Sequence, residues 1–199
     1  MNRLLITGVI YLIGLLESGC HKPCNEPDYN FLVTESFFHE RDSVKVGDTL
    51  FLTCIISKAE TDINTKMIID FSNLGNLGAN LVISDISKFK MQRDAADSFS
   101  YINVEGKIYF DQYGAKQLNF KETDSTYRLK VGLVALKKGL YIFTVPDALG
   151  VYRNGHVKCG VGNFQILNSN VNKHLYLFED MWGQLSNYDS LHSYCIKVY

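Results

Sequence analysis

The chain has 199 residues, of which 46% are hydrophobic and 21% are charged. Its 20 basic and 21 acidic residues leave a formal net charge of −1, so no overall positive field exists to attract a nucleic acid. A domain of this size buries roughly 70% of the surface that the unfolded chain exposes. One sizeable hydrophobic core is therefore expected without a metal to stabilise it.

The first 20 residues have the pattern of an export signal. Arg3 supplies one positive charge, and the apolar run Leu4 to Leu16 that follows is too short to span a bilayer as a helix. The run ends in Leu15-Leu16-Glu17-Ser18-Gly19-Cys20, which resembles the lipobox of bacterial lipoproteins. That resemblance implies cleavage before Cys20 and attachment of lipid, including fatty acyl chains such as palmitate, to its sulfur.

The number of cysteines favours lipid attachment over the alternative, which is an ordinary secretory signal cut near Gly19. Five cysteines would leave one unpaired thiol in an oxidising compartment, whereas a lipid on Cys20 leaves an even number. Four cysteines allow three pairings. The facing of the predicted strands favours Cys54 with Cys159 and Cys24 with Cys195.

The remainder is predicted to form one domain. Residues 1–19 are the predicted signal, 20–30 a polar tether with two prolines, and 31–199 a single β-sandwich domain. Short apolar and β-branched runs separated by turn residues indicate strands packed as an antiparallel sandwich. These runs are Phe31–Phe38, Thr49–Ser57, Thr65–Phe71, Asn80–Ile86, Ser98–Val104, Lys107–Phe110, Gln117–Lys121, Thr126–Leu136, Leu140–Val145, His156–Val161 and Asn163–Leu167.

Two segments carry a family resemblance. In Ser43 to Cys54 a short strand turns at Gly47-Asp48 into a strand that bears a cysteine, which resembles the opening of immunoglobulin-like sandwiches. Leu140 to Val145 resembles a late strand of the same fold. Together with the lipobox, these features resemble the β-sandwich lipoproteins of Bacteroidetes-like bacteria.

Other segments are predicted to connect or to cap the strands. The glycine- and asparagine-rich stretch Asn73 to Asn80 and the polar stretch Lys90 to Asp97 are predicted connections. Apolar residues at helical spacing predict one C-terminal helix between Leu175 and Leu185, with Asn170 or Asn172 as its N-cap. A short strand from Tyr194 to Tyr199 is predicted to close the chain.

The sequence contains no motif for catalysis, metal binding or cofactor binding. His156 and Cys159 would face opposite sides of a strand, so they are not predicted to act together. The aromatic content, 12 Tyr, 12 Phe and one Trp, is the one hint of a binding surface. Trp182, Tyr176 and Tyr188 are the predicted patch.

These observations favour a non-enzymatic cell-envelope module, anchored to a membrane by lipid, that binds a glycan or a protein partner. One alternative is an envelope hydrolase acting on glycan or peptide, and a second is a structural subunit of a surface appendage. His21 and Lys22 stand where an aspartate would signal inner-membrane retention, so the outer membrane is the predicted location. The sequence leaves open whether the domain faces the periplasm or the outside.

Overall fold

The structure is a computed structural model that describes residues 27–38, 41–72, 74–88, 93–110, 115–154 and 157–199. The described residues are mainly β, with a 3₁₀ turn at Ala96–Ser98 and two short helices, α1 (Tyr176–Trp182) and α2 (Asn187–His192). The strands are β1 Tyr29–Phe38, β2 Ser43–Val44, β3 Thr49–Ser57, β4 Ala59–Thr61, β5 Ile68–Asp70, β6 Leu74–Asn80, β7 Val82–Asp85, β8 Arg93–Asp94, β9 Phe99–Glu105, β10 Lys107–Phe110, β11 Lys116–Asn119, β12 Lys121–Glu122, β13 Thr126–Ala135, β14 Gly139–Thr144, β15 Asp147–Asn154, β16 Val157–Asn168 and β17 Ser193–Val198.

The strands form two main sheets and one separate hairpin. The large sheet has the order β10-β11-β6-β15-β16-β1-β3-β13-β12, with β9 also paired to β13, and the second sheet has the order β2-β17-β14-β7-β8. Pairing is antiparallel except where β1 meets β16 and where β2 meets β17. The strands β4 and β5 pair only with each other.

One hydrophobic core lies between the two sheets. The large sheet contributes Phe31, Leu52 and Phe164, while the second sheet contributes Phe143 and Ile196, and each of these side chains is buried. Burial of apolar area on this scale is the main force that holds two sheets together. The predicted β-sandwich with helical structure near the C-terminus is therefore confirmed.

Alternation of residue types explains the strands that sequence alone predicted well. Leu50, Leu52, Cys54 and Ile56 of β3 are buried, while Ile55 between them is exposed. Side chains of a strand point alternately to the two faces of a sheet, so this pattern commits one face of β3 to the core.

The large sheet curls until its two ends meet. Strand β11, next to the end strand β10, and strand β12, at the other end of the order, are separated in sequence by the buried Phe120 alone. The tight return from β9 to β10 passes through Gly106, which has φ +72° and whose added Cβ would lie 2.5 Å from the carbonyl oxygen of Asn119. Only glycine fits this close approach without strain.

The sequence analysis missed four strands, of which β4 and β8 are only three and two residues long. The segment predicted as a connection, Asn73 to Asn80, contains β6, and Asp147–Asn154 forms β15. Both strands are central in the large sheet, where β6 lies between β11 and β15. Strand propensity is set largely by packing against neighbours, so glycine and asparagine can occupy a central strand.

The chain ends also differ in detail from the prediction. The first strand begins at Tyr29, inside the predicted tether, because Tyr29 and Asn30 pair with β16. Two helices stand in place of the one that was predicted, because α1 ends at Trp182 and is capped by Gly183, which has φ +84°. Helix α2 then begins after Ser186, whose side chain accepts a hydrogen bond from the Asp189 amide.

No helix among the described residues is long and apolar enough to cross a membrane.

The predicted Cys54–Cys159 disulfide does not fit the described structure, whereas the predicted Cys24–Cys195 disulfide stays a prediction because Cys24 lies outside the described residues. Cys54 and Cys195 are buried free thiols. Glu35 of β1 pairs with both Cys54 and Asn168, and Cys159 lies nine residues before Asn168 along β16. At about 3.3 Å per residue this separates Cys54 from Cys159 by roughly 30 Å, whereas a disulfide requires Cα atoms within about 7 Å.

The predicted facing was correct for β3 and β17 but not for β16. In β16 the core-facing side chains are Phe164 and Ile166, so Val161, which was predicted to face the core, lies on the alternate side of the strand. Facing by itself also could not place the strands in the sheet. Cys54 does face the main core, as predicted. Cys195 packs in a separate cluster with Ile142 and Phe178, while Ile196 and Val198 face the main core. Cys24, Cys20 and the predicted signal lie outside the described residues.

A candidate ligand-binding groove

Polar side chains form a row across the outer face of the large sheet. Tyr109 pairs with Gln117, and Gln117 pairs with Asn80. Ala79 pairs with Ala148, which places Asp147 beside Asn80 in the next strand. Each of these side chains points away from the core, because its sequence neighbours Ile108, Leu118, Ala79 and Ala148 point into it.

The row continues beyond Asp147 and has a second row beside it. Asp147 pairs with Gln165 of β16, and Gln165 pairs with Leu32 of β1. The second row crosses the same strands through Lys107, Asn119, Gly78, Leu149, Asn163 and Asn30. Amide side chains are uncommon in strands, so their concentration on one face is not a consequence of strand propensity.

These rows enclose an open groove of about 370 Å³. We call it the amide groove, and its side-chain lining is Asn76, Asn80, Tyr109, Gln117, Asn119, Asp147 and Leu149, with Gly78 at its floor. The Tyr109 and Leu149 side chains are 48% and 56% exposed. A glycine in a strand interior often marks a place where a ligand approaches the backbone closely.

Several amide side chains on this sheet face are available to a ligand. Within the described part of the chain, the side-chain amides of Asn80, Asn119 and Gln165 form no hydrogen bond to a protein group. Asn163 differs, because its Nδ2 donates to Oδ1 of Asn30 at 3.2 Å. Each available amide offers both a donor and an acceptor to a bound molecule.

The groove contains one carboxylate. Partial burial raises the pKa of Asp147 above its ordinary value, and the nearby His192 opposes this rise. Asp147 forms no salt bridge with any described residue. Its negative charge is therefore not compensated by a cation in direct contact.

A larger groove, of about 450 Å³, lies over β1, β3 and β13, but several of its polar groups already have partners in the protein. The hydroxyls of Ser36 and Thr53 are 3.0 Å apart, and Glu105 forms an ion pair with Arg128 at 3.4 Å. The Lys130 ammonium lies 5.4 Å from the centre of the Phe51 ring. A ligand here would have to break existing contacts, which makes this groove the weaker candidate.

Glu35 is the most perturbed acid in the described structure, but a ligand cannot reach it. It lies on the core-facing side of β1 between Val33 and Phe37, and only 2% of it is exposed. Neither of its carboxylate oxygens has a hydrogen-bond partner. Burial raises its pKa well above the ordinary range, opposed by the positive charge of Lys173.

The aromatic residues predicted as a binding patch have structural contacts instead. Trp182 is partly buried against the cluster around Phe178, and its Nε1 donates to the Ile86 carbonyl at 2.9 Å. The Tyr176 hydroxyl donates to the Asp42 carboxylate. Tyr188 belongs to α2, but its side chain lies outside the described residues. Tyr176 is 42% exposed, and a patch formed by all three rings stays a prediction.

The cysteines and histidines do not form a reactive centre in the described part of the chain. Burial raises the pKa of the Cys195 thiol to about 12 and raises that of Cys54 still further, so neither is a ready nucleophile at neutral pH. No group of three or more His, Cys, Asp or Glu side chains in the described residues is arranged to hold a metal ion. His156 lies outside those residues.

The sequence analysis missed the amide groove because its central strands were not recognised. The signal was nevertheless present as an alternation of residue types: Asn119 and Gln117 alternate with Leu118 and Lys116, and Asn163 and Gln165 alternate with Phe164. Amides at every second position predict one polar face of a strand. What the sequence cannot supply is the strand order that brings these faces together.

Comparisons with known proteins identify no family for this chain. No protein-family model matches the sequence, and no curated protein matches it. Among solved structures, the seventh ScaB type I cohesin from Pseudobacteroides cellulosolvens is 11% identical, with a TM-score of 0.33 over 73% of this chain and 96% of that chain. The Reelin-N domain of F-spondin is 10% identical, with a TM-score of 0.36 over 71% of this chain and 81% of that chain.

A third match is AvmM, which catalyses macrocyclization in alchivemycin A biosynthesis. It is 13% identical, with a TM-score of 0.32 over 71% of this chain and 96% of that chain. At TM-scores this low, none of these similarities indicates what the chain binds or whether it catalyses a reaction.

Proposed function

We propose that this chain is a non-enzymatic glycan-binding module of a bacterial cell envelope, held at a membrane by lipid on Cys20. The observation that carries the binding function is the row of exposed amides on the outer sheet face, with Tyr109 at its end. Sugars present hydroxyl groups that both donate and accept hydrogen bonds, which side-chain amides match. Their apolar ring faces stack on exposed aromatic rings.

The shape of the amide groove supports a polymeric glycan. The row from Tyr109 through Gln117, Asn80 and Asp147 to Gln165 crosses five neighbouring strands, at about 4.8 Å per step. The groove lies along an open sheet face, so it accommodates an interior segment of a chain. The core of a protein interface is usually enriched in aromatic residues, Met and Arg, whereas the lining of the amide groove has a single aromatic residue, Tyr109, and neither Met nor Arg.

The composition of the groove also favours binding over hydrolysis. Glycoside hydrolysis usually requires two carboxylates about 5 to 10 Å apart on either side of the bond that breaks. Among its described lining residues the amide groove has one, Asp147. Glu35 cannot serve as the second, because it faces the core on the opposite side of the sheet.

Tyr109→Ala should weaken glycan binding about tenfold or more, because an aromatic anchor residue typically contributes at least 1 to 2 kcal/mol. The measurement is affinity gel electrophoresis of the full chain in detergent through gels containing hydroxyethyl cellulose, dextran, glycol chitosan or soluble peptidoglycan fragments. Tyr199→Ala removes an equally exposed tyrosine outside the groove and should migrate like the wild type. Equal retardation of the two variants would contradict the site, and a wild type that no polymer retards would contradict the function.

Lipid attachment is tested separately from glycan binding. Cells fed an alkyne analogue of palmitate should label the wild-type chain and leave Cys20→Ala unlabelled, because a lipobox cysteine is the sole acyl acceptor expected. Cys24→Ala should keep the label and serves as the matched control. Labelling of Cys20→Ala at the wild-type level would refute the lipid anchor while leaving the glycan site untouched.

A further inference from the structure

Asp147 is the only charged side chain among the described residues that line the amide groove. It lies in the middle of the row, between Asn80 on one side and Gln165 on the other. A ligand that lies along the row must therefore pass over this carboxylate. The neighbouring amides carry no charge that could offset it.

The charges closest to Asp147 do not neutralise it. His192 influences Asp147 electrostatically, but its ring is buried, and its Nδ1 contacts the carbonyl oxygen of Ile166. Lys107 lies on the same sheet face in the second row, beside Asn119 and three strands from β15. No described cation forms an ion pair with the carboxylate, which faces the groove as a negatively charged acceptor.

We propose that Asp147 makes the groove selective for glycans without acidic groups, an inference that rests on the glycan-binding function proposed above. A carboxylate accepts hydrogen bonds from neutral sugar hydroxyls and attracts the ammonium group of an amino sugar. A uronic acid or another carboxylated sugar places a second negative charge beside it, and like charges at contact distance repel. Asp147 is therefore a specificity-determining residue for the charge of the ligand.

The test compares each neutral polymer with its own carboxymethylated form, using hydroxyethyl cellulose, dextran and glycol chitosan as the probes. The full chain in detergent is expected to bind a neutral or amino polymer at least tenfold more tightly than the carboxymethylated form at low salt. In Asp147→Asn this ratio should fall to about twofold, because the repulsion of the carboxymethylated form is lost whatever affinity for the neutral polymer the variant keeps. The wild-type ratio should also shrink in high salt, because screening weakens charge repulsion at exposed sites.

The control is Asp124→Asn, which removes the same charge from an exposed turn outside the groove lining and should keep the wild-type ratio. If the wild type and Asp147→Asn show the same ratio of affinities for the neutral and the carboxymethylated polymer, the role of Asp147 is overturned and the glycan-binding function still stands. Failure of the wild type to bind any polymer, neutral or carboxymethylated, would overturn both.

Discussion

Glu35→Gln is expected to stabilise the protein at neutral pH, and the gain should grow as the pH rises. Glu35 is buried in the core, its carboxylate has no hydrogen-bond partner, and burial raises its pKa well above the ordinary value. Lys173 does not offset the cost of burying the Glu35 carboxylate by direct contact, because the Lys173 ammonium donates to the carbonyls of Ser190 and Leu191. A neutral amide of the same shape avoids the cost of burying a charge.

The direction of the pH effect follows from linkage. The folded state holds the Glu35 proton more tightly than the unfolded state does. The protonated Glu35 therefore contributes its full share of the unfolding free energy below the ordinary glutamate pKa of about 4.3. As the pH rises from there towards the folded-state pKa, that contribution is lost at up to about 1.4 kcal/mol per pH unit. Glu35→Gln removes this loss.

Urea unfolding of the wild type and of Glu35→Gln between pH 4 and pH 9 measures the effect as a difference in unfolding free energy. Glu179→Gln on the exposed face of α1 is the control and should change stability by less than about 0.5 kcal/mol throughout. A constant difference between Glu35→Gln and the wild type across this range would show that Glu35 does not retain its proton on folding.

Phe31→Ala should destabilise the fold by about 3 to 5 kcal/mol, the usual cost of truncating a buried aromatic side chain to alanine. Phe31 is 0% exposed, and its ring centre lies 4.4 Å from that of Phe71 and 5.1 Å from that of Phe164. These three rings join β1, β16 and the segment before β6. Removal of the central ring leaves a cavity that the surrounding strands cannot fill.

Leu32→Ala is the matched control for this prediction. Leu32 is the next residue of the same strand but points to the outer face, where it is 53% exposed. Its truncation should cost about 0.5 kcal/mol or less in the same urea titration. Similar losses for Phe31→Ala and Leu32→Ala would mean that β1 does not separate core from solvent in the way the structure describes.

The sequence by itself predicted the elements whose residue types alternate. Strand β3 was predicted with its observed bounds, and Thr126 to Leu136 corresponds to β13 within one residue, because both strands place apolar side chains on one face at every second position. The inward facing of Cys54 and the opposite facing of Cys195 and Ile196 followed from the same rule. Composition and charge by themselves also argued against nucleic-acid binding, because a net charge of −1 provides no positive field.

Only the tertiary structure decided which strands are neighbours. Correct facing of Cys54 could not reveal that Cys159 belongs to a strand two places away in the sheet and far along it. The same limit hid the amide groove, because Asn80, Gln117, Asp147 and Gln165 come from four separate strands that meet only in the folded sheet. Local patterns determine which face a side chain takes, whereas strand order depends on packing between residues that are distant in sequence.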